Sequence, residues 1–233
     1  MVFIKCDIMY LGDNMKRIKI SLVLNILIVI LVTLATVFMF TGFKFMPSND
    51  LLKATSIEMF KFFTVDSNIL VGISSLVLLT YEIKYLNKKI KKIPNSVYLF
   101  KLMGTASLCL TFITTAVFLT PQYGFYPMYN NANLLYHLII PIFTIVSYIF
   151  YEKHNVKYRH AFLGIIPMVI YSVYYVSMIL IHLNSGGLTY KYDFYGFLRG
   201  NIHNTWIVIP VIYIITYLMA LLLIYFNKKG KKD

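Results

Sequence analysis

An all-α membrane protein, a bundle of six transmembrane helices with both termini cytoplasmic, is the fold this sequence predicts, and three observations carry that prediction. The 233 residues are 59% hydrophobic with a mean hydropathy of +0.70, well beyond the apolar share of a soluble domain. Six apolar runs of about 18–24 residues follow one another, each near the ~20 that a helix needs to cross the hydrocarbon core. The 22 Lys and Arg against 9 Asp and Glu gather in alternate connections, the positive-inside pattern with the N-terminus inside. Such charge is topogenic and attracts anionic lipid headgroups, so it does not point to nucleic acid.

Residues 1–17 form a cytoplasmic leader, within which Met15 is an alternative start, and 18–41 make the first span. MKRIK ahead of an apolar run is signal-like, but the core is too long and TGFKFMPSND lacks a small-x-small cleavage site, so the segment is expected to stay as an anchor. Span two, 57–80, opens with Thr55 and Glu58 at capping-box spacing, which sets its start on the outer side. The basic stretch Lys84 to Lys92 leads to span three, 98–120. Span four is 133–151, and Lys153 to Arg159 separate it from span five, 161–183. Span six, 204–226, ends in the basic cytoplasmic tail 227–233. Together 18–226 form one membrane domain, with no soluble domain and no internal repeat of the kind many transporters carry. Pro141, Pro167 and Pro210 are expected to kink their helices. The outer loops QYGFYPMYNN and YKYDFYGF are aromatic-rich, as an interfacial belt or as the mouth of an amphiphile site. Cys6 and Cys109 build no disulfide or thiolate framework, and the histidines lack metal-ligand spacing, so neither metal nor cofactor is expected. Abundant Lys, Asn, Ile and Tyr hint at an AT-rich bacterial genome, hence a multi-pass protein of a bacterial plasma membrane. The oligomeric state is not legible.

Polar groups inside the spans are the candidates for function, because hydrocarbon penalises them. FKFFTVDSNILVG, residues 60–72, holds Thr64, Asp66, Ser67 and Asn68. At helical pitch Thr64, Ser67, Asn68 and Ser75 share an arc, while Asp66 points to the opposite side. Asp66 is expected to pair with another helix or a loop cation, Arg199 and His203 being the candidates. In span four Asn133, Tyr136, His137, Thr144 and Ser147 form one stripe. Span three offers Ser107, Thr111, Thr114 and Thr115, and span five Tyr171, Tyr175 and His182. Bland roles compete. Ser and Thr commonly glue helices together, Asn133 would cap a helix, Tyr136 and Trp206 would anchor at the interface, and His154 and His160 would be solvated. His137, proton-active near neutrality, is open to a structural or a chemical role. Placed ~13 Å and ~6–9 Å into their spans from the same side, Thr64 and His137 lie at overlapping depths, which suits a nucleophile–base pair.

FFTVDSNIL, NLLYHLIIP and the late YKYDFYGF, in that order and on those spans, resemble the androgen-induced-gene family of integral membrane proteins, above all its bacterial members. The resemblance covers residues 18–226. It implies a threonine hydrolase of fatty acid esters of hydroxy fatty acids, with Thr64 as the family's threonine, His137 as its histidine and Asn133 as the asparagine before it. Three features depart from the animal proteins or from the bacterial pattern: Pro141 four residues after His137, Asp193 in place of a proline, and the Ser67–Asn68 pair.

The expected activity is therefore intramembrane hydrolysis of a long-chain lipid ester, without metal or cofactor. Thr64 would be the nucleophile and His137 the base, with Asn68 as oxyanion donor, Asn133 orienting the imidazole and Ser67 beside them. Asp66, Tyr136, Tyr175, His182, Arg199 and His203 would line the substrate pocket. The alternative is a non-catalytic lipid- or solute-binding membrane protein, or a small transporter, using Asp66, Asn68 and His137 as a polar site. In either case the partner is a membrane lipid, lipid ester or solute rather than nucleic acid.

Overall fold

The computed structural model describes residues 2–47, 54–198, 203 and 205–229, with side chains from residue 15 onward except that of Thr205. Among these residues there is no strand, and six helices are long and apolar enough to span a membrane. They are α1 (Val2–Thr41), α2 (Phe63–Leu86), α3 (Asn95–Tyr123), α4 (Asn131–Tyr151), α5 (Tyr158–Ile181) and α6 (Thr205–Lys229). The outward faces are apolar, with Val23, Ile30, Val37, Ile170, Val173 and Ile214 all exposed. Only lipid suits such a surface, because helices satisfy their backbone groups internally and need no water on that side. The chain is a multi-pass helical bundle.

Small residues set the helix crossings, as expected where lipid gives helices no hydrophobic reason to associate. A Cβ on Gly72 would fall 2.9 Å from Val32 Cγ1, so α1 packs directly on the backbone of α2. Gly164 is tighter, since its Cβ would lie 2.8 Å from that of Ala220 and 3.0 Å from that of Ala106, locking α5 against α6 and α3.

Two boundaries differ from the sequence expectation in ways that matter. Span two does not run through from Ser56. Residues Ser56–Lys61 form a separate 3-10 turn, Phe62 is extended at φ −95° and ψ 126°, and α2 starts at Phe63. The Thr55–Glu58 capping box is not formed, for Thr55 makes no side-chain cap and Glu58 pairs with Lys61 at 3.7 Å. Thr64 is thus in the first turn of α2 and not nine residues into it. At the start of the chain, the stretch expected as a leader continues α1 as helix from Val2. His154, expected in solvent, is instead buried, stacked on Tyr98 with ring centroids 4.5 Å apart.

Three π-helical segments interrupt the spans, at Thr114–Leu119, Leu135–Ile139 and Ser147–Tyr151. The second has a clear local cause. Pro141 lacks the N–H that would close an α-turn onto the His137 carbonyl, and Ile140 N–H reaches back five residues to Leu135. Pro167 likewise marks the change from the 3-10 turn Tyr158–Ile165 to α-helix, whereas Pro210 lies inside α6.

Candidate functional site

Thr64 owes its setting to the late loop. After α5 the chain folds back on the start of α2, and the Phe63 N–H, which the first helical turn leaves without a partner, donates to the Tyr195 hydroxyl at 2.8 Å. The Thr64 N–H lies close to the same hydroxyl and favours its charged form. Tyr171 donates to the Lys61 carbonyl at 2.6 Å just upstream, and Tyr175 donates to the buried Asp193 carboxylate. Surrounding rings desolvate the Tyr195 hydroxyl and push its pKa up to about 12, with Asp66 adding to the rise, so it stays protonated. The loop expected as an aromatic belt is therefore a packed cap on the end of α2, with Phe194 edge-on to Phe62 at 5.2 Å. The side chain of Thr64 is half-buried.

His137 lies in the π-segment of α4 and is buried. Its Nδ1 is 2.8 Å from the Met128 carbonyl oxygen, which can only accept, so Nδ1 carries the proton. Nε2 is buried without a partner. The orienting group is thus a backbone carbonyl and not Asn133, whose Oδ1 is itself unpaired.

Asn68 joins the two motifs. Its Nδ2 donates to the Thr64 carbonyl at 2.7 Å and to the Tyr136 carbonyl at 3.3 Å, which brings α2 and α4 together at the residues flanking His137. Both amide hydrogens are so committed that Asn68 cannot serve as the oxyanion donor expected of it. Ser67 bonds Thr111 across to α3 at 3.0 Å and acts as interhelical glue. No hydrogen bond joins the Thr64 hydroxyl to the His137 ring among the described residues. Tyr136 is fully buried, its hydroxyl donating to Thr36 at 3.1 Å, and is no interface anchor. The Asp66 carboxylate makes no ion pair or side-chain hydrogen bond among the described residues; of its two expected partners His203 is not paired with it, and Arg199 lies outside those residues. Asp66 stands instead within electrostatic reach of Tyr136, Tyr171 and Tyr195. His182 stacks on Tyr192 at 4.0 Å, and His203 is exposed.

At the opposite end of the bundle is a charged cluster that sequence reasoning missed. Lys101 on α3 is fully buried, donating to Asn25 at 2.9 Å and to Ser75, with Glu152 Oε1 3.8 Å away. Glu152 also accepts from Ser147 at 2.7 Å, and Glu82 from Ser21 at 2.5 Å. Burial holds the Glu152 carboxyl above the usual carboxylate range, against the pull of Lys101. One oxygen of each glutamate, Oε2, has no partner. Lys101 lies six residues past the start of α3 and Glu82 four before the end of α2, so both resemble flanking charges in the sequence. The usable signal was that Glu82 and Lys101 sit one to two turns inside helices whose neighbouring faces carry Ser and Asn.

A cavity of about 140 Å³ lies away from both the charged cluster and the Thr64 and His137 side chains. It borders the end of α1 and the residues Asn130 to Asn133 that lead into α4.

Fold and site together define a polytopic α-helical membrane protein with a buried imidazole whose Nε2 has no partner among the described residues. Comparisons with known protein families, curated proteins and solved structures each find no match to this chain.

Proposed function

We propose that this protein is an intramembrane hydrolase of long-chain lipid esters, with a threonine nucleophile and a histidine base. The observation that carries the reading is His137, whose Nδ1 is committed to the Met128 carbonyl while the buried Nε2 has no partner. An imidazole held in that tautomer keeps on Nε2 the lone pair a general base needs. The Thr64 hydroxyl would attack the ester carbonyl as Nε2 takes its proton. Collapse of the tetrahedral intermediate leaves an acyl ester on Thr64, and the proton passes from His137 to the departing alcohol. Water, deprotonated by the same nitrogen, then releases the fatty acid. The protonated Tyr195 hydroxyl beside the first N–H groups of α2 is the best-placed oxyanion donor. With α2 already held to α4 through Asn68, substrate has only to draw the Thr64 hydroxyl to Nε2, since catalytic hydrogen bonds commonly tighten only with substrate in place. The motif resemblance supports the same pair, and the positive-inside charge supports an orientation with the Thr64 end on the outer side of the membrane.

The test is turnover of long-chain lipid esters by purified protein, with a fatty acid ester of a hydroxy fatty acid and a monoacylglycerol as the two substrates compared. Thr64→Ala and His137→Ala should each lose at least 100-fold in kcat/KM, and full activity in both would overturn the assignment. A second reading, a solute-binding protein or small transporter, is favoured by the buried Lys101, Glu82 and Glu152, because intramembrane ionisable groups mark pathways in such proteins. Labelling by a fluorophosphonate probe, lost in Thr64→Ala, separates the two: a protein that never labels but moves solute across vesicles is the second.

A further inference from the structure

The 140 Å³ cavity beside α4 has one apolar wall and one amide wall. Phe38, Met39 and Phe43 form the first; Asn130 and Asn133 form the second. Asn130 is fully buried, yet among the described residues neither its Oδ1 nor its Nδ2 has a hydrogen-bond partner, and Asn133 Oδ1 is buried and unpaired there as well. Leaving such groups unsatisfied costs about 1–3 kcal/mol each, so their persistence in a packed bundle calls for an occupant. Nor is Asn130 spent on the backbone. It holds the N-cap position before Asn131, where an asparagine ordinarily bonds the second or third helical N–H, but it makes no such cap. The adjacent Asn131 fixes the wall opposite, its Oδ1 accepting from Phe45 and Met46 N–H at 2.8 Å each.

Two free acceptors and a free donor on uncharged amides complement groups that donate and accept at once, which hydroxyls do and carboxylates do not. Lys44 borders the cavity but already holds an interaction within the protein. The volume of about 140 Å³ suits about five waters at ~30 Å³ each, or a small polyol. From these observations we infer that the cavity binds the uncharged, hydroxyl-bearing head group of a lipid such as a monoacylglycerol, with its acyl chain leaving along the Phe38 and Phe43 side. Asn133 is four residues before His137, about 6 Å along the helix, so the head group would sit one turn from the base. This deepens the hydrolase reading by naming its substrate class, yet binding at the site does not depend on chemistry.

The test is equilibrium binding of radiolabelled 1-monooctanoylglycerol to the full-length purified protein in detergent. It is run in the Thr64→Ala background so that no turnover intrudes, with octanoic acid and methyl octanoate as competitors. Monooctanoylglycerol should bind at least tenfold tighter than either competitor, and Asn130→Leu or Asn133→Leu should weaken it at least tenfold. The leucines replace unsatisfied amides, so the unfolding temperature should hold or rise. Should a leucine variant fail to fold, Asn130→Ala removes the amide without added bulk and should show the same loss. Equal binding of methyl octanoate, tighter binding of octanoic acid, or unchanged affinity in the asparagine variants would each overturn the inference. Failure of the hydrolase reading shows elsewhere, as Thr64→Ala retaining full turnover.

Discussion

Tyr195 is the residue on which the start of α2 depends most directly. Its hydroxyl takes the Phe63 N–H, which has no intrahelical acceptor. Tyr195→Phe should therefore cost about 1–3 kcal/mol by leaving that donor unmet, read as a lowered midpoint in thermal unfolding. If Tyr195 also stabilises the oxyanion, kcat should fall further than KM changes. The sequence reveals Thr64 and His137 because each is chemically conspicuous in an apolar run. It does not reveal Met128 as the orienting partner, because a backbone carbonyl has no side-chain identity and reaches His137 only through the fold-back at 124–130. Asn68 illustrates the opposite case. Its face was legible from helical pitch, but its amide is consumed by two carbonyls that only the packing of α2 on α4 supplies.

Elements show a similar division between what pattern dictates and what packing decides. All six spans are legible from apolar length, whereas the break at Phe62 is not, since IEMFKFF carries no proline or glycine to end one helix and begin another. The break is held from outside the segment: Tyr171 on α5 donates to the Lys61 carbonyl and Tyr195 in the loop after α5 takes the Phe63 N–H. The charged cluster between α1, α2, α3 and the end of α4 is invisible for a related reason. Each member lies near a helix end, where lysine and glutamate ordinarily meet water. Lys101→Met should destabilise the bundle by about 3–5 kcal/mol, because it strands buried Glu152 without its counter-charge. Adding Glu152→Gln should restore much of that loss, a non-additivity that a double-mutant cycle in detergent-solubilised protein would measure directly.

At the scale of the whole molecule, close backbone approach holds the bundle together. Gly164 sits between Ala106 and Ala220, so Gly164→Val would drive α5 away from both α3 and α6. A cost of about 1–3 kcal/mol is expected from overpacking, with loosened tertiary structure but unchanged helix content by circular dichroism. The π-segment Leu135–Ile139 governs the molecule in a different sense. A π-turn amounts to one extra residue accommodated within an α-helix. Because the wide turn takes up that residue, the two halves of α4 keep their phase across it, with Asn133 beside the cavity on one side and Thr144 and Ser147 on the other. Deleting one residue from the regular turns beyond it, where nothing takes up the change, would rotate one half by about 100° against the other. The wide turn is thus a built-in allowance in the helix, and a deletion inside it should be tolerated far better than one outside it.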